Sequence, residues 1–276
     1  MSRSQSLQTA LDIAVAAGRE ILAVYHDQRQ PEVSLKADDS PLTDADRRAH
    51  RLITTRLAEA TPEIPVLSEE SDAVDPQTRL GWPRYWLVDP LDGTKEFVKR
   101  NGEFTVNIAL VEHGVPVLGV VHVPVTDVSY FGADELGSFR QEAGGEPQAI
   151  ACRPLTRERR LEVVASRSHR DARLDKVLAA LEQHFPGLDV VSMGSSLKIC
   201  LVAEGRADLY PRLAPTCEWD TAAAHAVLAA AGGEIVDTSF NPLRYNRRDT
   251  LLNPHFIALG DPSFAWGDLL LPLLDD

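Results

Sequence analysis

The hydrophobic period changes twice along this chain, and the order of those changes restricts the fold more than any single motif. Leu7, Leu11, Ala14, Val15, Gly18, Ile21, Leu22 and Tyr25 recur at spacings of three and four, which predicts an amphipathic helix over residues 5–27. Thr43 ahead of Asp44 and Asp46 signals a second helix start, and Ala49, Leu52, Ile53 and Leu57 extend its stripe until Pro62. Short runs rich in β-branched and aromatic residues follow, at 64–67, 85–88, 105–111, 115–123 and 128–131; the His113-Gly114 break predicts an antiparallel hairpin. From Leu161 the types alternate: strand 161–165, helix 171–183, strand 188–193, helix 195–204, strand 207–210, helix 219–231 and strand 234–237. Helices first, then successive strands, then alternation predict a layered α/β architecture with a boundary near Gly144 to Pro154, giving lobes of residues 1–150 and 151–276.

At 276 residues, 44% apolar and 25% charged, the chain has enough material for a core without staples. Its net charge of −13 argues against a sequence-independent nucleic-acid binder, and it also repels small phosphates unless a cation intervenes. Three cysteines, Cys152, Cys200 and Cys217, with no CxxC pair, argue against a disulfide framework or a thiolate zinc site and for a reduced, cytoplasmic setting. The polar segment Met1 to Gln8 lacks the apolar run of a secretion signal, and no stretch approaches the ~20 apolar residues of a membrane span.

The segment richest in chemistry is Trp86-Leu87-Val88-Asp89-Pro90-Leu91-Asp92-Gly93-Thr94. An apolar strand delivers Asp89, Pro90 and Gly93 shape a turn, and two carboxylates can converge at the strand's end. Hard divalent cations such as Mg²⁺ favour oxygen ligands of this kind, and a surface Asp-Pro-x-Asp-Gly turn is the structural alternative. Two further acidic sites follow the same logic: Glu69-Glu70 after the apolar run ending at Leu67, and Asp220 at the head of the apolar helix Ala222 to Ala231. Taken singly, the first reads equally as solvated loop charge and the second as a first-turn acid complementing a helix dipole.

Together, Glu69-Glu70, Asp89-Pro90-Leu91-Asp92-Gly93-Thr94 and Trp219-Asp220-x-Ala222-Ala223 resemble, in order, the signatures of the inositol monophosphatase superfamily of Mg²⁺-dependent, lithium-sensitive phosphatases. The likeness spans nearly the whole chain. Lys36 to Asp46, Lys95-Glu96-Phe97 and Gly194-Ser195-Ser196-Leu197-Lys198 look most like the bacterial 3′(2′),5′-bisphosphate nucleotidases of that superfamily. The resemblance implies an αβαβα sandwich of the fructose-1,6-bisphosphatase and inositol monophosphatase type, its two lobes forming one catalytic unit. The implied activity is hydrolysis of the 3′-phosphate of adenosine 3′,5′-bisphosphate to AMP, with phosphoadenylyl sulfate as a second substrate. An inositol or sugar phosphatase and a non-catalytic Mg²⁺-dependent phosphometabolite sensor are the alternatives.

By the same resemblance, two or three Mg²⁺ ions are held by Glu69, Asp89, the Leu91 carbonyl, Asp92 and Asp220, with Asp89 bridging. Thr94 and Asp46 form the pair that orients and deprotonates the attacking water; the structural alternatives are a cap for Thr94 and a helix-start acid for Asp46. The reacting phosphate is expected against Glu69, Leu91, Asp92, Gly93, Thr94 and Asp220, of which Glu69, Leu91, Asp92 and Asp220 are shared with the metals. Lys95, Ser166, His169, Gly194 and Lys198 are the candidates for the sugar and the second phosphate. The four tryptophans default to core positions. The partner is a small nucleotide rather than a nucleic-acid polymer. The sequence leaves monomer or homodimer open, and likewise peripheral association with the cytoplasmic face of the inner membrane.

Overall fold

The computed structural model describes residues 1–27, 33–35, 41–165 and 172–274. Helix α1 (Arg3–Tyr25) begins two residues before the expected start at residue 5 because Ser2 caps it reciprocally with Gln5. A short ribbon, β1 (Val33–Leu35) with β2 (Pro41–Thr43), leads into α2 (Asp44–Ala60), which starts at the predicted position. Asp46 accepts there from the Thr43 backbone N–H at 2.7 Å. The apolar faces of α1 and α2 pack together over one face of a large sheet, with Ala10, Ala17, Ile21, Ile53 and Leu57 fully buried.

That sheet has seven strands in the order β3 (Val66–Ser68), β4 (Arg84–Asp92), β5 (Thr105–Glu112), β6 (Val115–Val123), β7 (Val128–Ala133), β8 (Gly137–Gln141) and β9 (Gln148–Ile150). Only β3 and β4 run parallel; the rest is an antiparallel meander that includes the expected hairpin across His113-Gly114. Two short helices intervene, α3 (Pro76–Leu80) before β4 and α4 (Thr94–Val98) after it.

The remainder of the chain builds β10 (Leu161–Ala165), α5 (Ala172–Glu182), β11 (Leu188–Ser192), α6 (Leu197–Ala203), β12 (Leu209–Arg212), α7 (Glu218–Ala230), β13 (Glu234–Asp237), β14 (Phe256–Leu259) and α8 (Trp266–Leu274). Its five strands lie in the order β11-β10-β12-β14-β13, with β14 antiparallel to both neighbours. Helices α6 and α7 fill the space between the two sheets around Cys200, Val202, Ala223 and Val227, while α5 and α8 cover the outer face of the smaller sheet. Two outer buried clusters and a central one that spans both faces of α6 and α7 thus fill the four interfaces between five layers, helix, sheet, helix, sheet, helix, which is the expected αβαβα sandwich.

Three expectations need correction. Helix 195–204 starts later, at Leu197, because the Ser196 N–H is taken by Asp92 and Ser195 adopts a positive φ of 45°. The strand at 207–210 lies at Leu209–Arg212 because the Arg206 and Ala207 N–H groups still turn back to Leu201 O. The second half of the chain contains β14, which gives its sheet antiparallel pairs inside the expected alternation.

Candidate active site

Strand β4 ends in a device that aims two carboxylates at one point. In a regular strand, residues three apart face opposite sides. Here the register with β5 shifts between Asp89 and Asp92, a bulge that turns both acids to the same end. Pro90 fits because β3 pairs only as far as Val88, so its missing N–H interrupts no ladder bond on that side. Asp89 is buried and accepts from Leu91 N at 3.0 Å. Asp92, half-buried, accepts from Ser196 N at 2.6 Å and from Asn107 Nδ2 at 3.4 Å.

Asp220 arrives from the opposite direction, on the first turn of α7, with one oxygen accepting from Cys217 N at 2.8 Å. Carboxylate oxygens of Asp89, Asp92 and Asp220 lie within 4.8 Å of one another. Glu69, placed by its N–H bond to Val88 O just past β3, hydrogen-bonds Asp89 through its side chain. The structure thus brings together the four acidic residues expected at a metal site, three as a tight set and Glu69 behind Asp89. Burial, followed by Glu69, Asp92 and Asp220, holds the Asp89 carboxyl well above the usual range. Burial and then the charge of Asp92 push Asp220 up to about 8, and burial raises Asp92. All-oxygen donors crowded into a poorly solvated corner, each resisting ionisation, fit a hard divalent cation that would relieve the repulsion.

This crowding has a measurable consequence in metal-free protein. Folded-state values above the unfolded ones mean the folded chain holds these protons more tightly. Their stabilisation is complete below the ordinary carboxylate value of 3.8 and is lost as pH rises toward about 8, the folded value of Asp220. Buried His122 and His225, lowered to about 4 and about 3 by burial, act oppositely below 6.5, so from pH 6.5 to 8 the raised carboxylates dominate, Glu218 at about 7 among them, and Lys198, brought down to about 8, opposes them only near the top of that window. In EDTA the melting temperature is expected to fall across that window, and saturating Mg²⁺ is expected to reverse the slope. A rising melting temperature in EDTA would contradict the crowding.

Thr94 follows Gly93, whose φ of 92° lies in the left-handed region and where a Cβ would come within 3.1 Å of Glu103 O. Thr94 Oγ1 reaches Leu91 O at 3.3 Å and Asp46 Oδ1 at 3.4 Å. Asp46 is buried and divides its oxygens: Oδ2 caps α2 through Thr43, Oδ1 faces Thr94. Both the structural and the catalytic readings of Asp46 are compatible with this geometry, one on each oxygen.

A cleft of about 590 Å³ opens over the cluster, lined by Asp92, Gly93, Thr94, Lys198, Arg212 and Asp220 among others. Exposed Lys95 stands on its rim. Gly194 lines it as well, and its close approach to Glu103 leaves no room for a side chain: a Cβ would lie 2.9 Å from Glu103 O. Lys198 is 8% exposed, bonded to Ser195 O, set over the Tyr210 ring at 5.7 Å and brought down to about 8 by burial, against the attraction of Asp92. Ser166 and His169, and the residues 36–40 of the earlier motif, lie outside the described residues. Trp86 and Trp266 are core, and no tryptophan lines the cleft.

Sequence reasoning missed Arg212. It is 8% exposed and lines the cleft at the end of β12, and one guanidinium nitrogen donates to Pro215 O at 3.0 Å. Its Nε has no partner among the described residues. A buried arginine in so acidic a chain was the available signal, but within the run Leu209-Tyr210-Pro211-Arg212 it reads as an ordinary strand-end charge.

A phosphatase site of this type, between two sheets and built on a bulged Asp-Pro-x-Asp-Gly-Thr strand end, has counterparts among known proteins. Residues 2–260 match the model of the inositol monophosphatase family, and the chain belongs to that family and is a phosphatase. Within it, the chain is similar to proteins named 3′(2′),5′-bisphosphate nucleotidase CysQ: 51% identical over 250 residues to that of Escherichia coli strain K12, covering 91% of this chain and 98% of the relative. The Haemophilus influenzae protein of that name is 40% identical over 261 residues, covering 94% of each. The crystal structure of CysQ from Bacteroides thetaiotaomicron superposes with a TM-score of 0.82 at 44% identity, covering 92% of this chain and 97% of that one. No helix of the described residues is long and apolar enough to cross a membrane.

Proposed function

We propose that this chain hydrolyses the 3′-phosphate of adenosine 3′,5′-bisphosphate, yielding AMP and phosphate, with two or three Mg²⁺ ions held by Glu69, Asp89, the Leu91 carbonyl, Asp92 and Asp220. The observation that carries this reading is the pair of buried cations, Lys198 and Arg212, in the wall of the cleft that contains the acidic cluster. The charge of Lys198 steadies Asp92, whereas Arg212, whose Nε has no partner among the described residues, is given one by a substrate with a second, remote phosphate. The relatives named as bisphosphate nucleotidases support the same reading. Phosphoadenylyl sulfate, with an equivalent 3′-phosphate, is proposed as a second substrate, and residues 1–150 and 151–276 as two lobes that together form one catalytic unit.

When bound, Mg²⁺ supplies charge neutralisation for the reacting phosphate and lowers the pKa of water. The chain supplies the rest. Backbone N–H groups of the Gly93-Thr94 turn face a phosphate oxygen. Thr94 accepts a hydrogen bond from the attacking water and passes its own proton toward Asp46. The water oxygen bonds to phosphorus, the bond from phosphorus to the ribose 3′-oxygen breaks, and that oxygen takes a proton from solvent as the one held at Asp46 returns to solvent. The intact Thr94–Asp46 contact weighs against a sensor without turnover.

The decisive assay compares phosphate release from adenosine 3′,5′-bisphosphate, inositol 1-phosphate and fructose 1,6-bisphosphate; preference for either of the last two would reject the nucleotidase reading. A variant sharpens it. Arg212→Gln is expected to raise KM for the bisphosphate by about 10- to 100-fold, the loss of one charge-assisted contact, while 3′-AMP, lacking the 5′-phosphate, changes little. Lys198 is the poorer probe, because its charge also steadies Asp92 and its removal should depress both substrates together. Equal losses on the two substrates in Arg212→Gln would place Arg212 outside the nucleotide site.

A further inference from the structure

The helix turn carrying Asp220 is gripped from the side away from the cleft. Glu218 is fully buried at the start of α7; its backbone N–H donates to Leu251 O at 2.8 Å, and its Oε2 accepts from Asn246 N at 2.8 Å. Asn246, 5% exposed, exchanges two bonds with Arg79: its Oδ1 accepts from Arg79 Nη1 at 2.6 Å, and its Nδ2 donates to Arg79 O at 2.5 Å. Arg79 is 2% exposed, and its other guanidinium nitrogen donates to Asp249 O. It stands on α3, in the connection that leaves Glu69. One buried polar chain therefore links the segment following Glu69 to the turn presenting Asp220, though the two are far apart in sequence.

Burying an arginine and a glutamate costs several kcal/mol each before their partners are counted, and apolar residues of similar volume usually hold a fold as well. A polar network gives something apolar packing does not, a single orientation, and here Glu218 offers one oxygen to Asn246 N while its Oε1 has no hydrogen-bond partner among the described residues. Asp220 needs one. Its Oδ2 is committed to Cys217 N within the same turn, so the direction of its other oxygen follows from where residues 217–220 sit. Asn253 holds one side of that turn, its Nδ2 donating to Cys217 O at 2.8 Å, and Glu218 ties the other to Asn246.

We propose that Glu218, secured by Asn246 and Arg79, is a positioning residue that holds the Asp220 carboxylate against Asp89 and Asp92 and thereby sets the affinity of the site for its divalent cation. The proposal rests on the metal-site reading given above.

The test is a calorimetric titration of the chelator-stripped full chain with Mg²⁺ alone, without substrate, alongside melting temperatures in EDTA. Glu218→Ala is expected to weaken Mg²⁺ binding by about tenfold or more at a temperature where the variant is fully folded. Glu218→Gln, which keeps an acceptor for Asn246 N, is expected to stay within about threefold of wild type. A purely structural role would lower the melting temperature and leave the titration of the folded protein unmoved; that result overturns the proposal. Should Glu218→Ala not fold, Asn246→Ser, which cuts the link to Arg79, is read by the same titration with the same two outcomes. Asp220→Asn is the control. If wild type takes up no Mg²⁺, or Asp220→Asn takes it up equally well, the metal-site reading itself fails and this proposal falls with it.

Discussion

Asp89→Asn is expected to remove turnover while making the metal-free protein more stable. The substitution keeps an amide oxygen to accept from Leu91 N, so the bulge at the end of β4 retains its hydrogen bond. It deletes the charge that burial, Glu69, Asp92 and Asp220 all oppose. Each pKa unit of that opposition corresponds to about 1.4 kcal/mol, so the metal-free melting temperature at pH 7.5 should rise. The cation site meanwhile loses its central donor. A bound metal contributes several kcal/mol of charge stabilisation in the transition state, so kcat should fall by about 10³-fold or more. Asp92→Asn and Asp220→Asn should behave alike, and the double variants should lose little beyond the singles, because one cluster is being dismantled. Circular dichroism, EDTA melting curves and phosphate release decide it. A folded Asp89→Asn protein with near wild-type turnover would show that the cluster is not the catalytic metal site.

The same residues show why some of the molecule is legible in one sequence and some is not. Periodicity located helices α1 and α2 and the meander strands β5, β6 and β7, since Ile21, Ile53 and Ile108 report which face is buried and nothing else in their neighbourhood contradicts them. Phe256–Leu259 escaped, because four apolar residues buried on both faces carry no period to read. Gly137–Gln141 escaped for the opposite reason, being short and mostly polar at the far side of its sheet. At the site, the acids were readable through their fixed spacing in a turn. The bulge that makes Asp89 and Asp92 converge is a pairing fact, absent from either strand alone. Asn246 and Glu218 meet partners brought by folding from elsewhere in the chain, and Arg212 lines a cleft that only the fold assembles, so no local pattern marks them. Lys198 was found by motif, yet its burial beside Asp92 gives it a second duty that a spacing cannot reveal.

The two duties of Asp46 separate by substitution, and this is the second large effect. One oxygen caps α2 through the N–H and hydroxyl of Thr43, and the other meets Thr94 Oγ1 at 3.4 Å. Asp46→Asn retains an oxygen for the cap but has no basic group to receive a proton from Thr94, so the fold should survive while rate is lost. Asp46→Ala loses both, and should additionally destabilise by about 0.5–2 kcal/mol for the missing cap. A positioned general base contributes about 10²–10⁴-fold, and Thr94→Ala and Asp46→Asn should each fall by that order with their Mg²⁺ titrations unchanged. Thr94→Ser, which restores the hydroxyl, should recover most of the rate, whereas a threonine serving only as the first residue of α4 would tolerate alanine equally well. The double variant should be no slower than the worse single, since a proton relay broken at either end is broken once. If Mg²⁺ affinity drops in parallel with rate in Thr94→Ala, the hydroxyl belongs to the metal's surroundings and the water-activating role passes to another group in the cleft.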